Sequence, residues 1–189
     1  MSGNGVSARP RRRLLPLAVV LAVAWIVVAA PYLRALWWLH AHPEAPQNLH
    51  LPLPGLIASH LSPSFGAPRA HGPHEGIDIV ADAGTPVLAV AAGIIVGNRQ
   101  TPIGGTVLWI LGRGRRLYYY AHMRELAPWM HLGRSVTEGE PIGSVGNTGN
   151  ARYTVPHLHF GIYSVVSDLY PMKYHAIDPY PLFVTDNGG

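Results

Sequence analysis

Cysteine is absent from this 189-residue chain, which excludes disulfides, thiolate metal sites and cysteine nucleophiles together. The absence does not fix the compartment, but any metal would have to be held by imidazole and carboxylate. Charge is scarce as well, with Asp, Glu, Lys and Arg together at 13%. Lysine occurs once, at Lys173 near the C-terminus. After Leu39 no long segment carries apolar residues at helical spacing, so a helical bundle is excluded. What the chain does have is Gly 21 and Pro 18, a composition that implies many turns.

The formal net charge of +4 would fit a polyanion partner if it were spread over a surface. It is not, because Arg9, Arg11, Arg12 and Arg13 sit together at the N-terminus. Setting those four aside, the 14 basic residues fall to 10 and equal the 10 acidic ones. The body is neutral and has no basic face to steer nucleic acid, which is not expected as a partner.

Residues 1–13 therefore read as a basic tail on the cytoplasmic side of a membrane. From Leu14 to Leu33 the chain is uncharged and apolar, and Arg34 is the first interruption. About 20 such residues suffice to cross a bilayer as a helix. With Tyr32, Trp37 and Trp38 in the far interface, residues 14–39 are expected to form a transmembrane anchor in the cytoplasmic membrane, oriented by the arginines. A cleaved signal peptide is the competing reading. Ala22-Val23-Ala24 leaves too short an apolar stretch, and a cut after Ala30 would put Pro31 at the hindered position. Residues 40–61, with prolines at 43, 46, 52 and 54, read as an extended extracytoplasmic stalk. Leu49, Leu51, Leu53, Leu56 and Ile57 allow part of it to lie on the following domain instead.

Residues 62–189 read as an all-β domain. Short apolar runs at Ile77 to Val80, Pro86 to Val96, Thr106 to Leu111, Leu117 to Ala121, Pro141 to Val145 and Leu158 to Val165 are separated by glycines. Glu125 to Leu132 has room for one short helical turn. Tight turns between short strands predict antiparallel sheets folded into a compact roll or sandwich. Thr85 to Gly93 and Val136 to Gly143 resemble the two halves of a biotinyl/lipoyl-type barrel. Carriers on that scaffold need a lysine at a hairpin tip, and Lys173 lies outside it, so only the scaffold is expected.

Three short pieces carry the chemistry: His74-Glu75-Gly76-Ile77-Asp78, Tyr120-Ala121-His122 and His157-Leu158-His159-Phe160. A hydrolytic zinc ion takes three protein ligands and keeps a position open. His157 and His159, two apart in a strand, leave the same face. They can be two ligands, or one ligand beside one proton-handling group. His74 in a loop and Asp78 in the next strand can flank one ion, and His122 ends a strand. The other histidines (His40, His42, His50, His60, His71, His131 and His175) are expected to be ordinary. Glu75 is not followed by the spacing of a helical H-E-x-x-H motif.

Ser64-Phe65-Gly66-Ala67-Pro68-Arg69 precedes His74-x-Gly76-x-Asp78. Gly84-Thr85-Pro86-Val87, Tyr120-Ala121-His122, Gly146-Asn147-Thr148-Gly149 and His157-Leu158-His159-Phe160-Gly161-Ile162 follow in order. This succession, from about Ser62 to Phe183, resembles the lysostaphin/LytM-type murein metalloendopeptidases. The resemblance implies one zinc ion per chain, held by His74, Asp78 and His159. It implies that His122 and His157 are catalytic, acting on water and on the developing oxyanion. It also implies peptidoglycan stem or cross-link peptides as the substrate. Val155 stands where the family usually has Gly, and Gly161 where Glu is frequent.

Two other uses of such a scaffold are a non-catalytic activator of wall enzymes and a wall-binding module. Neither needs five converging metal-type residues. A cupin-like metal protein would place its remaining ligands within one barrel motif, which this order does not do. No residue pattern names a regulatory protein partner.

Overall fold

In the computed structural model the described residues are 17–69, 72–165 and 174–183. The arginine block, Leu14 to Pro16, His71 and Lys173 fall outside them. Helix α1, Leu17–Ala41, contains Pro31 and buries no residue. Its 25 residues, with a mean hydropathy of 2.1 over an 18-residue window, make it long and apolar enough to cross a membrane. It continues beyond Leu33 because Arg34 to Ala41 contains neither proline nor glycine, and it stops before Pro43. The first half is exposed; from Ala29 onward several residues are half-buried.

The rest is mostly antiparallel sheet, as the glycine-punctuated runs predict. In chain order the strands are β1 (Pro68–Arg69), β2 (Gly72–Pro73), β3 (Ile77–Val80), β4 (Pro86–Leu88), β5 (Gly93–Thr101) and β6 (Gly105–Gly112). They continue as β7 (Arg116–Met123), β8 (Glu125–Leu126), β9 (Ser135–Val136), β10 (Pro141–Ser144), β11 (His157–Val165) and β12 (Tyr174–Ile177), before a short helix α2 (Tyr180–Phe183). Seven strands form the main sheet in the order β12-β11-β7-β6-β5-β9, with β3 beside the first half of β11. A second sheet has the order β4-β10-β8, and β1 pairs with β2.

One local expectation gives way. The run Pro86 to Val96 is not one strand. Its middle spends backbone groups elsewhere: Gly139 N–H donates to Ala89 O, His50 N–H to Val90 O, and Val90 N–H to the Tyr120 hydroxyl. Glu125 to Leu132 begins with the two-residue strand β8, paired with β10, and then makes one short turn closed by Met130 N–H donating to Ala127 O. The two lipoyl-like halves do meet, through β4 against β10 and Gly93 opposite Val136.

Between the sheets lies a core with Tyr118, Tyr120, Phe160, Ile77, Leu108, Ile110, Ile142, Leu158 and Ile162 fully buried. Each such side chain is worth about 1.5–3 kcal/mol of burial. Leu49, Leu53 and Leu61 belong to the same core. The expected stalk is therefore not a free tether over 49–61. Leucines between the prolines are drawn into the domain, and Leu49 N–H donates to Leu182 O while Leu88 N–H donates to Pro52 O. Proline excludes helix there; it does not exclude packing.

Candidate metal centre and active-site groove

Cross-strand pairing assembles the site. His159 lies opposite Asp78 on β3 and opposite Ala121 on β7. Directly paired residues share a face, so His159 projects from the middle strand beside the Asp78 carboxylate, over a floor kept open by Ala121. Gly76 permits this close approach, because a Cβ there would lie 2.4 Å from Phe160 O and 2.9 Å from His159 Cε1. The turn before β3 brings in His74. Its Nδ1–H donates to Ser64 O at 2.9 Å, and the Asp78 backbone N–H reaches Ser64 Oγ at 3.4 Å. Ser64 thus ties both ends of the His74–Asp78 segment.

The three side chains present one triangle of donor atoms. His74 Nε2 lies 2.9 Å from His159 Nδ1 and 3.1 Å from Asp78 Oδ1, and His159 Nδ1 lies 3.0 Å from that same oxygen. Neighbouring ligands of a tetrahedral zinc ion with bonds of 2.0–2.1 Å stand about 3.3 Å apart. The triangle fits such an ion after a shift of a few tenths of an ångström. Two neutral imidazoles and a carboxylate are also a suitable donor set. Because the Nδ1–H of His74 is committed to a carbonyl, its Nε2 is the nitrogen that could meet an ion. Among the described residues this is the only group of three or more such side chains able to hold a metal.

The charges are arranged to match. Burial pushes the His74 pKa down, against the opposing Ser64 hydrogen bond and Asp78 charge. For Asp78 burial works the other way. The hydrogen bond and charge of His159, with the charges of His74 and His157, outweigh it and hold the carboxyl far below the usual range. Arg69 Nη2 also donates to Asp78 Oδ2 at 2.8 Å, which occupies the second carboxylate oxygen and leaves Oδ1 toward the histidines.

His122 and His157 stand on the other side of the same groove, ring centroids 5.0 Å apart, with His122 6.0 Å from His159. His122 lies near the end of β7, just before the paired Met123, in the left-handed region with φ +59. Only a few per cent of non-glycine residues take this conformation, and it clusters at functional sites. Its N–H donates to Gly104 O at 2.7 Å and its Nδ1–H to Thr148 O at 2.9 Å. Thr148 is itself fixed, because its hydroxyl donates to Met123 O and accepts from Thr106 N–H. The Gly146 to Gly149 segment is thus the clamp on His122. Burial foremost, then the charges of His157 and His159, push the His122 pKa down to about 4 despite the Thr148 carbonyl. His157 N–H donates to Gly146 O, and its Nδ1–H donates to Val155 O at 2.9 Å. Both imidazoles are left with Nε2 for the groove.

The groove encloses about 530 Å³ and is also lined by Arg69, Glu75, Ile103, Tyr119, Asn150 and Thr154. All five residues singled out from the sequence line it. The other described histidines (His40, His42, His50, His60, His131 and His175) do not, and the rings of His40, His42, His50 and His131 bond to nearby backbone carbonyls. Sequence reasoning gave no role to Arg69, Ser64 or Thr148. The signal was present in the segments Ser64–Arg69 and Gly146–Gly149, which precede the ligand pieces and carry no metal-binding side chains of their own.

Known proteins share this arrangement of elements. The profile of Peptidase family M23 matches residues 72–179. An L-Ala--D-Glu endopeptidase of Bacillus subtilis is 34% identical over 122 residues, covering 62% of this chain and 35% of the relative. Peptidoglycan DD-endopeptidase ShyA of Vibrio cholerae is 33% identical over 106 residues, covering 53% of this chain and 24% of the relative. The chain thus matches about a third or less of the length of these curated relatives. Among solved structures, the catalytic domain of lysostaphin from Staphylococcus simulans superposes with a TM-score of 0.53 at 31% identity, covering 64% of this chain and 87% of that domain. A zinc-containing peptidase from Vibrio cholerae gives a TM-score of 0.50 at 27% identity, covering 64% of this chain and 37% of that one. With more than half of its length matched by the profile, and with a lysostaphin-type sheet, this chain belongs to peptidase family M23.

Proposed function

We propose that the chain is a membrane-anchored zinc metalloendopeptidase that hydrolyses peptide bonds in peptidoglycan stem or cross-link peptides. The observation that carries the proposal is the donor triangle of His74, Asp78 and His159 facing a groove shared with His122 and His157. A zinc ion held by those three residues supplies Lewis acidity toward a scissile carbonyl and activates water near neutral pH. Arg69 keeps the Asp78 carboxylate turned toward the ligand position. His122, neutral at working pH and with Nδ1–H committed to Thr148, offers Nε2 as a proton acceptor. His157, with its Nδ1–H bonded to Val155 O, would donate from Nε2 to the oxyanion or to the leaving amine only as the imidazolium, after Nε2 has taken up a proton such as the one released by the attacking water. The intact set of five residues favours catalysis over a purely activating or wall-binding role. The relatives' names give different bonds, so substrate is proposed at the level of peptidoglycan peptides.

The proposed topology places residues 1–13 in the cytoplasm, one span through α1, and residues 62–189 outside as the catalytic domain. Four arginines before the span against Arg34 just after it support this orientation. A periplasmic reporter fused after Gly189 should be active and a cytoplasmic one silent; the reverse pattern refutes it. The activity itself is tested by incubating the full-length, detergent-solubilised protein with zinc and intact peptidoglycan. Release of peptide fragments identified by mass, abolished by a chelator and restored by zinc, is the expected result. Undigested peptidoglycan under zinc-loaded conditions contradicts the proposal.

A further inference from the structure

The β-domain does not stand clear of its own anchor. Helix α1 packs against β5, β6 and the turn at 113–115, and Gly114 N–H donates to His42 O. On the opposite side of this seat, Arg34 Nη2 donates to Ser135 Oγ at 2.8 Å. Gly133, at φ +78, lies against Pro31, where an added Cβ would come within 3.0 Å of Pro31 Cα. The 127–134 loop therefore touches α1 three residues on the membrane side of Arg34. At 1.5 Å per residue that is about 4.5 Å below the first charge after the apolar run. This is the depth at which the hydrocarbon gives way to headgroups.

The loop is built to present apolar groups at that depth. Met130 is buried to 4% exposure in the domain, and its carbonyl accepts from Asn98 Nδ2. Gly133 N–H donates to Ile95 O and Arg134 N–H to His131 O. Held on either side of this plug, Trp129 is 50% and Leu132 45% exposed. No acidic residue occurs between Leu126 and Thr137 to repel a headgroup layer. Tyr32 and Trp37 on α1 are exposed as well, so aromatic rings from helix and loop lie near one level, as in an interfacial belt.

We infer that the 129–132 loop enters the outer interface of the same bilayer that α1 spans, so that the catalytic domain rests on the membrane. This rests on the proposed single span. The β5–β6 hairpin carries Ile103 and Gly104 into the groove at one end of β6, and the turn at 113–115 after its other end meets α1. Eight-residue β6 separates the two ends by about 24 Å. The domain would hold its site at a fixed height above the lipid rather than swing on a tether.

The absence of cysteine makes the test direct. Leu132→Cys, Trp129→Cys, Leu21→Cys and Tyr153→Cys are each made in the full-length protein, labelled with bimane and reconstituted into vesicles of phosphatidylcholine and phosphatidylglycerol. Quenching by lipids brominated near the headgroup is then compared with quenching by aqueous iodide. The expected result is lipid quenching at positions 132 and 129 several-fold above that at position 153, with position 21 quenched by lipids brominated deep in the chains. Lipid quenching at 21 with 129 and 132 as aqueous as 153 overturns the inference and leaves the span standing. Absence of lipid quenching at 21 overturns the span and the inference together. Labels at 129 and 132 shielded from iodide yet not quenched by lipid show a protein contact, such as a second copy, and overturn it too.

Discussion

The two ends of strands β5 to β7 are made on different terms. At one end, the hairpin 101–105 and the terminus of β7 hold polar side chains in place through backbone hydrogen bonds, a left-handed histidine and close approaches. At the other, β5 and β6 meet a helix with half-buried Ala35, Trp38 and Leu39, and the bonds Arg34–Ser135 and Gly114–His42 lie beside it. The site end tolerates little displacement, because ligand atoms about 3 Å apart lose a common centre if one strand slips. The helix end tolerates more, since burial is non-directional. Precision and attachment are thus separated along one sheet.

If that separation holds, damage at the site end should abolish function without unfolding the domain. Asp78→Ala and His74→Ala should each reduce bound zinc and peptide hydrolysis to background while circular dichroism stays β-type. Stoichiometric zinc retained by Asp78→Ala would refute its assignment. His122→Ala and His157→Ala come next, with turnover lower by about 10²–10⁴-fold and metal content unchanged. Arg69→Ala removes a group that acts through Asp78, and metal affinity or activity should fall by about 10–100-fold, with partial recovery in Arg69→Lys.

The smallest effect is the acid response of the metal-free protein. His122, held near 4, and His74, also lowered, bind fewer protons folded than unfolded once pH drops below the unfolded value of about 6.5. Stability should be level above that pH and decline as pH falls toward about 4. His122 accounts for up to about 3 kcal/mol, measured as urea midpoints in the presence of chelator. His122→Gln should flatten the decline; an unchanged slope would show that its surroundings do not keep it neutral.

The separation also explains what the sequence could reveal. Strands such as Ile77 to Val80 were legible because alternation and glycine breaks are local signals. The segment 89–92 was not, since its partners His50, Tyr120 and Gly139 are remote in sequence. The apolar residues of 49–61 were visible, but prolines report only which backbone shapes are forbidden. His74, Asp78, His122, His157 and His159 were visible because imidazoles and carboxylates are chemically conspicuous. The roles of Ser64 and Thr148 were not, since they act through a carbonyl or a hydroxyl that any loop possesses. The strained backbone of His122 likewise leaves no mark in composition.

His157 and His159 leave the same face of β11 yet are given different roles, one toward substrate and one toward the ion. Zinc content measured beside rate for His157→Ala and His159→Ala tests this division most directly. The first is expected to keep its zinc and lose turnover, and the second to lose both. Zinc lost from His157→Ala and kept by His159→Ala would contradict it.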